Sequence, residues 1–166
     1  MSIQPQTSGE FFRSISILHL ALMVGMTLFA GVSALVAEGM GPVFRPFSSD
    51  DYVFLVPLAV VLVGGQFSVR AMANKQREAL KQETQLEKKL YGFRSLCIMK
   101  YGMLEGPGLF AIACVMLTGN AWFYVVTAAC LLGMVLLRPT PDRAVTTLDL
   151  SAAERAVVYD PGALIE

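Results

Sequence analysis

The chain has 166 residues, of which 55% are hydrophobic and only 16% charged, and its net charge is zero. A soluble domain carries about 25% charged residues, so this composition points away from a water-soluble fold and toward one membrane-embedded unit. Eight of the thirteen Lys and Arg residues lie between Arg70 and Lys100, and nothing here offers the basic face on a soluble module that a nucleic-acid binder needs.

A hydrocarbon core about 30 Å thick needs roughly 20 apolar residues as helix. Backbone groups in lipid must bond within their own segment, which selects helices over open strands. Four stretches meet this requirement, at about 15–37, 52–69, 95–118 and 121–137. Val32-Ser33-Ala34 is a tolerable signal-peptidase pattern, but the first stretch is long for a signal peptide and only Arg13 precedes it. The first span is therefore expected to stay in the mature protein.

Orientation follows from the basic residues. The first loop holds Arg45 against Glu38, Asp50 and Asp51, and the third loop, Gly119-Asn120, holds no base. Arg13, the basic run from Arg70 to Lys100, and Arg138, Arg143 and Arg155 all fall on the other side. Both termini and the second loop are thus expected in the cytoplasm.

The first and third spans align at an offset of 81 residues. Phe12-Arg13-Ser14 falls on Phe93-Arg94-Ser95, Ile17 on Ile98, Gly25 on Gly106, and Leu28-Phe29-Ala30 on Leu109-Phe110-Ala111, eight identities in 19 ungapped positions. The second and fourth spans match poorly. The expected fold is all-α: a transmembrane four-helix bundle of two repeated helical hairpins, related by an axis along the membrane normal. Residues 1–90 hold the first hairpin and a cytoplasmic helix, 91–138 the second hairpin, and 139–166 a cytoplasmic tail. Arg13, Arg94 and Arg70 mark the cytoplasmic interface, where long basic side chains snorkel to water.

The segment 70–90 lacks Gly and Pro and is rich in helix formers. It is expected to continue the second span as a helix, with Met72, Ala79, Leu86 and Leu90 as a thin apolar stripe and Tyr91-Gly92 as the turn back. The stripe suits a lightly packed, solvated helix or a docking face for a partner or anionic lipid. In the tail, Pro139 and Pro141 stop the fourth helix. Ser151 and Glu154 have capping-box spacing, which predicts a short helix over about 152–158.

Polar groups inside spans carry the functional expectation, because each costs a few kcal/mol on insertion scales. The candidates for an ion or proton site are Glu105, His19, Lys100 and Gln66. Glu105 is the sharpest: it lies near mid-membrane, the first repeat has Val24 in its place, and Gly106-Pro107-Gly108 follows as an expected helix break. A buried carboxylate must be protonated or paired, and the expected partner is His19 or Lys100, the lysine having snorkelling to the cytoplasmic surface as its other course. The carboxylate beside small residues resembles the ion-carrying helix of rotary ATPase proteolipid subunits, but it lacks their glycine repeats and opens a hairpin instead of closing one.

Cys97, Cys114 and Cys130 form no C-x-x-C pair and read as small buried hydrophobes. Methionines such as Met26, Met103 and Met134 read as gap-filling core more than as copper ligands. No catalytic motif, metal site or cofactor site is expected.

Ile17-Leu18-His19, the run Lys100–Phe110 (KYGMLEGPGLF) and Leu148-Asp149-Leu150-Ser151 give the chain a pattern that resembles small uncharacterised four-span proteins of bacterial inner membranes. The resemblance implies fold and location but no activity. Two functions are expected from these readings. One is a non-enzymatic accessory or oligomer-forming unit, whose partners are the lipid bilayer and further copies or a larger membrane complex. The other is a proton or cation translocator using Glu105 with His19, which requires a cavity reaching Glu105 from the cytoplasm.

Overall fold

Helices form here where the sequence is apolar and unpunctuated, and several start on a side chain able to cap them. The computed structural model describes residues 6–40 and 44–165; residues 41–43 of the first loop and the extreme termini lie outside it. Helix α1 spans Ser8–Ala37 and opens on a capping box, in which the Glu10 amide donates to the Thr7 hydroxyl and the Thr7 amide to the Glu10 carboxylate. Helices α2 (Ser49–Lys81), α3 (Leu86–Thr118) and α4 (Tyr124–Leu136) follow, then two short helices, α5 (Pro141–Leu148) and α6 (Ala152–Tyr159). Single 3-10 turns cover Glu38–Met40 and Ala121–Phe123. Among the described residues the only extended pairing is one bridge between Thr7 and Leu164.

Helices α1, α2 and α3 are long and apolar enough to cross a membrane, and a fourth crossing is added if α4 with its preceding turn and α5 are taken as one span bent by 82°. At about 1.5 Å per residue, α2 and α3 each run close to 50 Å, well beyond the hydrocarbon thickness. Leu28, Leu35, Val53, Val56 and Leu132 all face outward and exposed. An apolar exterior of this extent inverts the soluble-protein pattern.

Helix α3 is the centre of the assembly. Helices α1, α2 and α4 each pack along it, whereas α1 and α2 scarcely touch. Glycines draw the neighbours in: the Met103 side chain of α3 covers Gly65 of α2, and Met26 of α1 covers Gly108 of α3. The corresponding residues Phe12 and Phe93, and Ile15 and Leu96, are buried alike. The two helix pairs are nevertheless packed differently, since α3 and α4 form a closed hairpin and α1 and α2 do not.

The chain between 70 and 90 corrects one expectation. Helix α2 does run past its apolar span, as far as Lys81, but 70–90 is not a single helix: the turn falls at residues 82–85 and α3 begins at Leu86. The Glu83 carboxylate accepts the amides of Thr84 and Gln85 at 2.9 and 3.3 Å, which closes the turn without glycine or proline. Tyr91-Gly92 is therefore no turn, and the boundary between the two halves shifts from residue 90 to 82–85. Gly92 lies within α3, where the Leu80 side chain occupies the space a Cβ would need. Met72 and Ala79 are exposed while Leu86 and Leu90 are buried on the next helix, so the stripe is not one face.

The tail folds back onto the start of the chain. Helix α6 opens on the expected capping box of Ser151 and Glu154, with bonds of 2.7 and 3.4 Å; helix α5, begun by the Thr140 cap and Pro141, was not foreseen. The Ser8 and Gly9 amides donate to Ala163 and Pro161 carbonyls at 3.0 and 3.1 Å, and the Ile165 amide donates to the Gln6 carbonyl at 3.1 Å. The Ser8 hydroxyl donates to the Val158 carbonyl at 2.8 Å. These bonds supply partners for amides that a helix start leaves unpaired. Leu148, Leu150 and Val158 join Phe11, Phe12, Ile15, Leu90 and Phe93 in one buried cluster. The first and last described residues therefore lie at the same end of the molecule, beside the turn between α2 and α3.

An ion pair fastens the tail: Lys89 Nζ lies 2.6 Å from Glu154 Oε1, with side chains only 9% and 17% exposed. Burial pushes the Glu154 carboxyl up, but the hydrogen bonds from Lys89 and from Ser151 outweigh it and hold the group below its ordinary value of 4.5. A carboxyl with a depressed folded pKa contributes stability that is complete above its unfolded value and is lost as pH falls through the folded one. Tail docking should therefore be indifferent to pH between about 6 and 8 and should loosen below about pH 4. Limited proteolysis across that range checks this, and Glu154→Gln should weaken docking at neutral pH while flattening the acid response.

At the opposite end, Asp51 is fully buried. Its carboxylate takes a forked pair from Arg45 at 2.8 and 3.1 Å, the Ser48 amide at 2.7 Å and Asn120 Nδ2 at 3.3 Å. Arg45 also donates to the Thr118 carbonyl at 3.0 Å. This cluster ties the first loop and the start of α2 to the α3–α4 turn, itself made by Gly119 at φ 69°. Phe44 on Trp122 and Phe47 on Phe123 pack edge-on at 5.5 and 5.9 Å beside it, as in an interfacial aromatic belt. Asp51→Ala leaves a guanidinium and an amide without their acceptor and should cost about 3 kcal/mol, read as a lowered midpoint in unfolding from mixed micelles.

Candidate functional site

The four ionisable or polar residues expected to converge in the membrane do not share one site. His19, on α1, is buried and lies against Tyr101 of α3, ring centroids 4.7 Å apart and planes tilted by 49°. Its Nδ1 is buried without a hydrogen-bond partner among the described residues. The Tyr101 hydroxyl turns the other way and donates to the Leu137 carbonyl at the end of α4, at 3.3 Å. His19 is thus wedged between helices by an aromatic neighbour, and no bond joins it to Glu105.

Glu105 is half-buried on α3 and has no hydrogen bond or ion pair among the described residues. Beside it, Gly102 and Gly106 are exposed, and a Cβ added at either would meet nothing within 4 Å. Two glycines four residues apart form an open strip along which another helix backbone can approach. The carboxylate therefore borders an unoccupied small-residue face.

Gly106-Pro107-Gly108 does not break the helix: α3 is continuous from Leu86 to Thr118. Proline deletes one backbone bond, but Pro107 is buried and flanking helices brace the turn around it. Thr127 of α4 donates its hydroxyl to the Gly108 carbonyl at 3.1 Å, and a Cβ added at Gly108 would run into the Met26 side chain of α1 and lie 3.3 Å from the Cys130 Cβ of α4. The two glycines differ in kind: Gly108 admits neighbours within the chain, whereas Gly106 faces outward.

Lys100 and Gln66 do come together, in a cavity of about 500 Å³ between α2, α3 and α5. Its basic lining is Arg70, Arg77 and Lys100; Gln66, Asn74, Thr146 and Thr147 add neutral polar groups. Val69, Leu96, Met103, Leu104 and Leu137 supply apolar wall, and no acidic side chain lines it. Neither Glu105 nor His19 reaches it. Arg77 is held in place, its Nε donating to the Thr147 carbonyl at 2.9 Å and its guanidinium to Thr146 at 3.3 Å. Of the expected interface arginines, Arg70 lines the cavity, Arg13 is exposed beside the docked tail and Arg94 is half-buried.

The polar side of this cavity was partly visible in the sequence. Gln66, Arg70, Asn74 and Arg77 recur at helical spacing and mark one face of α2. Thr146 and Thr147 were not, because nothing local says that α5 folds back over α2. The three cysteines are buried free thiols. Met26 and Met134 are fully buried fillers, and among the described residues no cluster of three His, Cys, Asp or Glu side chains could hold a metal.

Comparison with models of protein families, with curated proteins and with solved structures finds no match to this chain. Its function is therefore argued from this geometry.

The contrast between the two kinds of glycine is testable in the purified protein. Gly108→Val drives a branched side chain into Met26 and should cost about 1–3 kcal/mol, whereas Gly102→Val, on the same outward strip as Gly106 but not followed by proline, enters open space and should leave the thermal midpoint of the monomeric chain nearly unchanged.

Proposed function

We propose that this chain is a four-span, non-enzymatic protein of the bacterial inner membrane, with both termini in the cytoplasm, that forms oligomers or docks as an accessory subunit through α3. The observation that carries this reading is Glu105: an ionisable group within a span, without a partner among the described residues, bordering the open Gly102–Gly106 strip. Such a group is costly against lipid and becomes affordable when a second helix supplies a donor and closes over the glycines. The meeting of the two chain ends supports an even number of crossings, because three spans would leave them on opposite sides. The basic residues gathered at that end support its cytoplasmic placement. The proposed duplication would then survive in the burial shared by α1 and α3, with α3 in the second copy taking over as common partner for the other helices.

The alternative, a proton or cation translocator using Glu105 and His19, finds less support. The cavity at the basic end is lined by neither residue, and His19 is wedged against Tyr101.

In a gentle detergent or in nanodiscs, the wild-type chain should run as an oligomer, and Glu105→Ala and Gly102→Val should each shift it toward monomer by about tenfold in association constant. A wild-type chain that is monomeric at every concentration, and binds no other membrane protein on crosslinking in its native membrane, sinks the proposal. In proteoliposomes, wild type and Glu105→Gln should both show only the lipid background of pH-driven flux; flux abolished by Glu105→Gln would favour the translocator.

A further inference from the structure

The cavity between α2, α3 and α5 is unlike a gap left by loose packing. A gap in an apolar assembly is lined by apolar atoms and stays dry. This one gathers three cationic side chains with no carboxylate among its lining residues. Elsewhere the chain pairs buried charge with care, as at Lys89–Glu154 and Arg45–Asp51. Arg70, which is exposed, and Lys100, which is half-buried, have no hydrogen-bond or ion-pair partner among the described residues, so the site presents positive charge that no carboxylate of its own lining offsets.

Its polarity is graded along the helices. Along α2 the lining runs from Gln66 to Arg77, about 16 Å at helical rise. The far end, beside the α5 carbonyls that hold Arg77, is polar; toward Gln66 the wall becomes Met103 and Leu104. Arg70 and Lys100 sit where the apolar stretch of α2 gives way to the charged one, the level of a phospholipid headgroup. An occupant must therefore bear negative charge at one end and hydrocarbon at the other. A phosphate-bearing anion matches the charged part, since guanidinium groups fork onto phosphate oxygens. The apolar wall selects a lipid over a free phosphate.

We propose that this cavity binds the headgroup of an anionic phospholipid, with Arg70 and Lys100 holding the phosphate, Arg77 fixing the roof that α5 forms, and the Met103–Leu104 wall receiving the first carbons of the acyl chain. Basic pockets between spans on the cytoplasmic side bind anionic headgroups by this chemistry. The proposal rests on the membrane placement but not on oligomer formation, and retained lipid is counted per chain.

The test compares nanodiscs of phosphatidylglycerol, of phosphatidylcholine and of their mixture, after the chain is shown to leave native membranes only with detergent, which separates a failure of the membrane reading from a failure of the site. Native mass spectrometry of protein released from mixed discs should show phosphatidylglycerol retained in preference to phosphatidylcholine. The double substitution Arg70→Gln/Lys100→Gln should weaken that retention by about tenfold, and Lys75→Gln/Lys88→Gln, an equal charge change outside the cavity, should not. Asn74→Phe, which fills the cavity without altering charge, should also displace the lipid and serves if the double substitution fails to fold. Equal retention of both lipids by the wild type, or retention unaffected by both cavity variants, overturns the proposal. Displacement of the lipid by millimolar inorganic phosphate assigns the site to a soluble anion and overturns the lipid occupant.

Discussion

Every long helix of this chain leans on α3, and α3 can serve all of them because it runs unbroken through Gly106-Pro107-Gly108. Between helices in lipid there is little hydrophobic gain, so close backbone approach and a few hydrogen bonds must hold them together. Gly65 against Met103, Gly108 against Met26, and the Thr127 hydroxyl on the Gly108 carbonyl provide both. A kink at Pro107 would misalign α1 and α4 together. The same geometry leaves Gly102 and Gly106 on a side of α3 that no described helix covers.

The two ends of the molecule solve their polar problems differently. At the aromatic end, one buried carboxylate, Asp51, satisfies a guanidinium, an amide and a side-chain amide at once, and the loops are locked by that single centre. At the basic end the tail does the closing, through backbone bonds to the first residues of α1 and the Lys89–Glu154 pair. The first cluster is self-sufficient. The second leaves Arg70 and Lys100 over, which is why an anion-binding role falls at this end and not the other.

Glu105 and His19 illustrate how far a sequence carries a site. Both are improbable in a span and were singled out for that reason, yet depth along a helix does not give azimuth around it. Glu105 lies more than a turn deeper than His19 by the repeat, and even residues within reach along parallel helices meet only if both faces turn toward each other. His19 turns toward Tyr101, and Glu105 borders the outer strip. Lys100 and Gln66 met because α2 and α3 pack as antiparallel neighbours, with Gly65 fixing their register against Met103.

The all-helical character, the four apolar stretches and the capped helix in the tail were written in the sequence, because they follow from local composition, from hydrophobic run length and from a four-residue cap. The turn at 82–85 escaped, since a glutamate carboxylate closes it where glycine or proline would ordinarily announce it. Only the tertiary structure decided that α3 and not a pseudo-symmetric pair is the hub, that the tail docks on α1, and that α5 roofs a basic cavity. Those outcomes depend on which faces of similarly apolar helices find complementary relief, and hydropathy, being nearly uniform around such helices, does not encode that choice.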